Sequence, residues 1–127
     1  MIPAFTQEPA VVFTQFVRNW FRLLSRGEFG MAVALLDEPN HHAVVWSEQQ
    51  IRDVLRDYGG SRIPAVTDPD AVAGDGRPSL VALTDGSGYS FWHDVPLDGQ
   101  WGDLVAQFEF FRRPAGYAVV LHSVHVT

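Results

Sequence analysis

The chain contains no cysteine, and its nine basic residues are all arginine, so lysine is missing as well. Without cysteine there is no disulfide, no thiol nucleophile and no Cys-ligated zinc. The lack of lysine reads as a bias of composition rather than a mechanism. No run of seventeen apolar residues occurs, and no basic stretch followed by an apolar core opens the chain. Those two absences predict a protein without a signal peptide or membrane span, and the lack of cysteine fits the cytoplasm. Motifs of known chemistry are also wanting. No serine sits in a Gly-x-Ser-x-Gly elbow, and Asp68, Asp70 and Asp75 lack the spacing and closing glutamate of a calcium loop.

What is present fits one domain over residues 1–127, long enough to bury a hydrophobic core. Fifteen acids against nine arginines give a net charge of −6. Seven of the acids (Asp68, Asp70, Asp75, Asp85, Asp94, Asp98 and Asp103) fall in one stretch that holds a single base, Arg77. Such a stretch repels phosphate backbones, so nucleic acid is not an expected partner. It either keeps loops solvated or meets a basic protein surface.

Three helices are predicted in the first half. Phe13, Phe16, Val17, Trp20, Phe21 and Leu24 recur at helical spacing between Pro9 and Arg26. Arg18, Arg22 and Arg26 line another side of the same helix, as a solvated row or an anion-binding stripe. Gly27 is placed to end it. A shorter helix follows over Glu28–Leu36, with Phe29, Ala32, Val33 and Leu36 inward, and Asp37-Glu38-Pro39-Asn40 breaks it. Ser47 and Gln50 have capping-box spacing for a third helix, whose buried stripe is Ile51, Val54, Leu55 and Tyr58. Gly59-Gly60 stops it. His41–Trp46, Arg62–Thr67 and Leu80–Thr84 read as short strands, and Asp68–Ser79 as a long surface loop.

The second half reads as a meander of three strands, Gly88–Val95, Trp101–Arg112 and Gly116–Val126. Asp98-Gly99 is a two-residue hairpin signal, and Arg113-Pro114-Ala115-Gly116 a second turn. Helices followed by antiparallel strands give an α+β domain, with the helices on one face of a curved sheet. The segment FVRNWFRLLSRGEFGMAVALLDEP, Phe16–Pro39, resembles the opening of the nuclear transport factor 2-like (SnoaL-like, cystatin-like) superfamily. Members usually carry an acid where Glu28 stands. The closing segment PLDGQWGDLVAQFEFFRRPAGYAVVLHSVHVT is similar to a family of small bacterial domains of unknown function. There, as in Asp57-Tyr58-Gly59 here, a helix ends in Tyr-Gly before the sheet. The resemblance implies a cystatin-like cone whose open end binds small molecules in many members, and it supplies no catalytic residues.

Strand alternation sorts the side chains by face. The Asp98-Gly99 turn sets His93 opposite Leu104, and the second turn sets Leu104 opposite His125. One face then carries Tyr89, Phe91, His93, Leu104, Ala106, Phe108, Phe110, Val119, Leu121, Ser123 and His125, and should bear the helices. The other carries Ser90, Trp92, Asp94, Asp103, Val105, Gln107, Glu109, Val120, His122 and Val124. On the core face, His93 and His125 stand about 10 Å apart, two strand spacings. With Tyr89, Trp20 and Tyr58 they form the candidate pocket, as ligand groups or as rim residues satisfied locally. On the outer face, Trp92, Gln107, Glu109 and His122 form the candidate interface, where an apolar patch with a polar rim suits a homodimer.

No metal or cofactor is expected. His122 and His125 stand three apart on a strand, which predicts opposite faces, and an extended His41-His42 has the same defect. Asp94 opposite Asp103 is a further cation candidate in the same register. The function expected from these residues is a non-enzymatic protein- or ligand-binding module, its partner a small ligand, a basic protein or a second copy. An immunity protein that neutralises a basic toxin is the narrower version. The alternative is a small-molecule isomerase, cyclase or dehydratase working in the cone, an inference from fold alone.

Overall fold

The computed structural model describes residues Met1–Thr127 as an α+β protein. Three helices, α1 (Pro9–Ser25), α2 (Phe29–Ala34) and α3 (Glu48–Gly59), precede most of the sheet. The strands are β1 (Ile2–Pro3), β2 (Ser79–Ala82), β3 (Gly88–Leu97), β4 (Gln100–Arg113) and β5 (Gly116–Val126). They form one antiparallel sheet in the order β1-β5-β4-β3-β2. No helix is long and apolar enough to cross a membrane.

Local chemistry accounts for the element ends. Pro9 opens α1, where its missing N–H costs nothing. At the other end the Glu28 and Gly27 amides donate to the Leu23 and Leu24 carbonyls, the paired bonds of a Schellman motif. Ser47 and Gln50 make the expected reciprocal capping box on α3. Asp98 and Gly99 both have positive φ, 51° and 82°, which turns β3 directly into β4. His41–Trp46 forms a turn rather than a strand, because Asn40 draws its amides inward. Of Arg62–Thr67, the one sheet contact is a bridge from Val66 to Leu97. The long loop contains a short 3-10 turn at Pro69–Ala71.

The core lies between the helices and one sheet face. Phe13, Val17, Trp20 and Phe21 of α1 are buried with Phe91, Phe108, Phe110, Val119 and Leu121 of the sheet. Ile51 and Leu55 of α3 close one side. The Trp20 indole N–H donates to the Ala32 carbonyl at 3.0 Å, tying α1 to α2 inside the core. Buried indole N–H groups usually find a partner of this kind.

Two irregularities decide which side chains share a face. Between Asp94 and Pro96 the β3–β4 register shifts so that Gly102, Asp103 and Leu104 lie opposite Val95 alone. His93 is therefore paired with Ala106 rather than Leu104, and Asp94 with Val105 rather than Asp103. A shift of two leaves both faces as predicted. Between Gln107 and Phe108 the β4–β5 register shifts by one, with His122 as the extra residue of a β-bulge. Val124 then stands opposite Ala106 and packs on the core, while His125 stands opposite Val105 on the outer face.

Candidate functional site

The space between helices and sheet is filled. Phe13 stacks on Phe110 with centroids 4.1 Å apart and planes at 2°, and Trp20 meets Phe108 edge-on at 5.2 Å. Phe13, Trp20, Phe21, Phe91, Phe108 and Phe110 are all 0–1% exposed. The largest concavity, about 460 Å³, lies elsewhere, bordered by Tyr58, Arg62, Asp98, Gln100 and Trp101 at the β3–β4 turn.

The five candidate pocket residues do not share one site, although Tyr58 and His125 both border a depression of about 260 Å³ beside Leu104 and Val124. His93 is fully buried among Phe21, Phe91 and Trp101. Its Nδ1 bonds the Asp94 carbonyl at 2.8 Å, which makes that nitrogen the donor. Nε2 has no hydrogen-bond partner within the protein. The Gly76 backbone seals the ring from outside, since a Cβ there would lie 2.4 Å from His93 Cε1. Burial pushes the His93 imidazole below its ordinary value; the nearby Arg18 charge acts the same way and the Asp94 carbonyl opposes both. His125 is removed from this site by the bulge, and bonds Ser123 Oγ through Nδ1 at 2.9 Å. Tyr89 packs on Phe13 and Tyr117, and Trp20 belongs to the central core. Tyr58 is exposed rather than inward, and its hydroxyl donates to the Asp103 carboxylate, which holds the phenol above its ordinary value.

The charged candidates turn out to serve the protein's own loops. Asp68, Asp75 and Asp85 each accept the backbone N–H two residues on, the Asx turn that favours aspartate in loops. Asp70 pairs with Arg18 and Arg22, so the anion on the arginine stripe is internal, and those guanidiniums hold its carboxyl below the usual range. Arg77 grips Asp94 with two bonds of 2.8 and 2.9 Å. Asp98 binds Arg62 and the Ala65 amide, and Asp103 takes the Tyr58 hydroxyl. Each of the seven acids has an internal partner.

The outer face is where polar side chains do gather. Trp92 pairs across the strands with Gln107, and Gln107 with Ser123. Gln107 Nε2 donates to Ser90 Oγ at 3.1 Å. Glu109 Oε1 lies 3.2 Å from His122 Nδ1, and these side chains keep 18% and 25% of their surface. All four candidate interface residues thus share this face. His41, which no residue spacing assigns to this face, stacks on His122 with centroids 4.6 Å apart and lies tilted against His42 at 3.8 Å. Asn40 holds it there. Its Nδ2 donates to the His122 carbonyl at 3.1 Å, while its Oδ1 accepts from the His42 and Val44 amides.

The bulge also re-aims the last strand. His122 and Ser123 both face outward, so His122 and His125 lie on one side of the sheet despite their odd spacing. Val124, expected in the outer apolar patch, faces inward instead, and Val105 and Val120 are already 3% and 1% exposed. What is left of the patch is Trp92 on β3 with Val81 beside it on β2. No protein-family model, curated protein or solved structure matches this chain.

Proposed function

We propose that this protein is a non-enzymatic binding module of the nuclear transport factor 2-like type, a cystatin-like cone filled with side chains that works through the outer face of its sheet. The observation that carries this reading is the aromatic packing at the centre. A small-molecule site needs an enclosed cavity of about 300 Å³ or more with converging polar groups. Six aromatic rings occupy that space here, and the one ionisable group among them, His93, is sealed in. The isomerase, cyclase or dehydratase alternative therefore finds less support.

The partner on that face is a second copy of the chain. Trp92 and Val81 present apolar surface there, and Ser90, Gln107 and Ser123 beside them are uncharged. A chain of net charge −6 approaches an identical chain at least cost through a neutral patch. The immunity-protein version has narrower support, since Asp68, Asp70, Asp94 and Asp98 already pair with arginines and only Asp75, Asp85 and Asp103 are left without one for a basic enzyme. Sedimentation velocity tests the dimer. Wild type should sediment as a dimer at micromolar concentration and Trp92→Glu as a folded monomer; a wild type that stays monomeric at high concentration overturns the reading.

A further inference from the structure

We infer that His41, Glu109 and His122 form a binding site for one divalent transition-metal ion of the zinc type. Three separate segments supply the donors: the turn after α2, the middle of β4 and the bulge of β5. One ligand atom from each residue lies within 4.8 Å of the others. Glu109 Oε1 and His122 Nδ1, 3.2 Å apart, already stand at the separation of two ligands on a tetrahedral ion with bonds of about 2.0–2.1 Å, which is about 3.3 Å. His41 has farther to come, by about 1.5 Å at most on the same geometry. Its ring now lies nearly parallel to that of His122, so closing the set takes a rotation of this exposed side chain out of the stack.

The supports behind these donors are those a metal site uses. The His41 turn cannot drift, because Asn40 anchors it to the carbonyl of His122 itself. Asn40 is 9% exposed and uses both ends of its amide. The bulge aims His122 outward at the point where Glu109 passes on β4. Bulges recur next to functional sites because they re-aim a side chain. No arginine competes for Glu109, whose side chain bonds only His122. Two imidazoles and one carboxylate suit zinc, nickel, cobalt or copper, and disfavour calcium or magnesium, which take oxygen ligands. With three protein donors, the remaining position is open to water, to the neighbouring His42 or to a donor from another molecule.

The three donors all come from one chain, so the site is tested apart from self-association even though Gln107 and Ser123 of the proposed dimer patch adjoin it. Chelator-stripped protein is titrated with ZnCl2 by calorimetry and with CoCl2 by visible absorption, in wild type and in Trp92→Glu. The expected result is one ion per chain in both, with a Kd of about 10 µM or tighter, and cobalt bands of low coordination number. Glu109→Gln should weaken binding at least about tenfold and His122→Ala at least about a hundredfold, while His125→Ala leaves it unchanged. Circular dichroism checks that His122→Ala folds; if it does not, His41→Ala on the exposed turn carries the test. A Kd weaker than about 1 mM, or an affinity untouched by His41→Ala, overturns the site.

Discussion

The two hairpins of the meander differ in one detail, and that detail redistributes the chemistry of the molecule. In β3–β4 the register slips by two residues, and every side chain keeps its face. In β4–β5 it slips by one, and every residue beyond His122 changes face. Side-chain direction alternates with a period of two, so only the odd slip matters. The even slip moves His93 along its row without consequence for its burial. The odd slip takes His125 out of the core, puts Val124 in, and turns His122 toward Glu109 and His41.

Before the bulge, both hairpins obey simple alternation, and the largest mutational effect is expected there. Phe108 is fully buried against Trp20 and Phe16, whereas Gln107, one residue earlier, lies on the outer face. Phe108→Ala should cost about 3–5 kcal/mol in chemical denaturation, and Gln107→Ala less than about 1 kcal/mol. Comparable losses at both positions would mean that the faces are not distinct. Beyond the bulge the ordering of neighbours is reversed relative to unbroken alternation. Val124→Asp should cost about 2–3 kcal/mol and His125→Asp about 0.5 kcal/mol. The opposite ranking would place His125 in the core and remove the bulge.

The same contrast explains what could be read from the sequence. The apolar stripes of α1 and α3, the capping box and the Asp98-Gly99 turn rest on neighbours close along the chain, and all were legible. Gly102 inside β4 was a usable signal for the first slip, because glycine in a strand often marks an irregularity. Nothing in Leu121-His122-Ser123 marks the second, since none of these residues is special for a bulge. The loop aspartates carried their own signature, a side chain capping the amide two residues on, at Asp68, Asp75 and Asp85. His41 meets His122 across 81 positions of chain, and only Asn40, a turn residue with both amide ends buried, makes that meeting. Contacts set by a single tertiary clamp leave no periodic trace.

The smallest expected effect belongs to His93, the histidine that stays in the core. His93 is enclosed by Phe21, Phe91 and Trp101, with Arg18, Asp94 and Asp75 the charged groups around it. Its folded-state pKa lies below the unfolded value of about 6.5. Between those two values the unfolded chain binds a proton that the folded chain does not, so stability rises with pH across that window. His93 therefore contributes fully above about pH 6.5 and loses its contribution as pH falls through the folded-state value. The exposed carboxylates that are depressed, such as Asp70 and Asp85, give their loss at lower pH, below the ordinary value of 3.8. Denaturation curves for wild type and His93→Phe from pH 7.5 to 4.5 should therefore diverge in slope, wild type falling the faster. Parallel curves for wild type and His93→Phe would show that the His93 ring is protonated as readily in the fold as outside it.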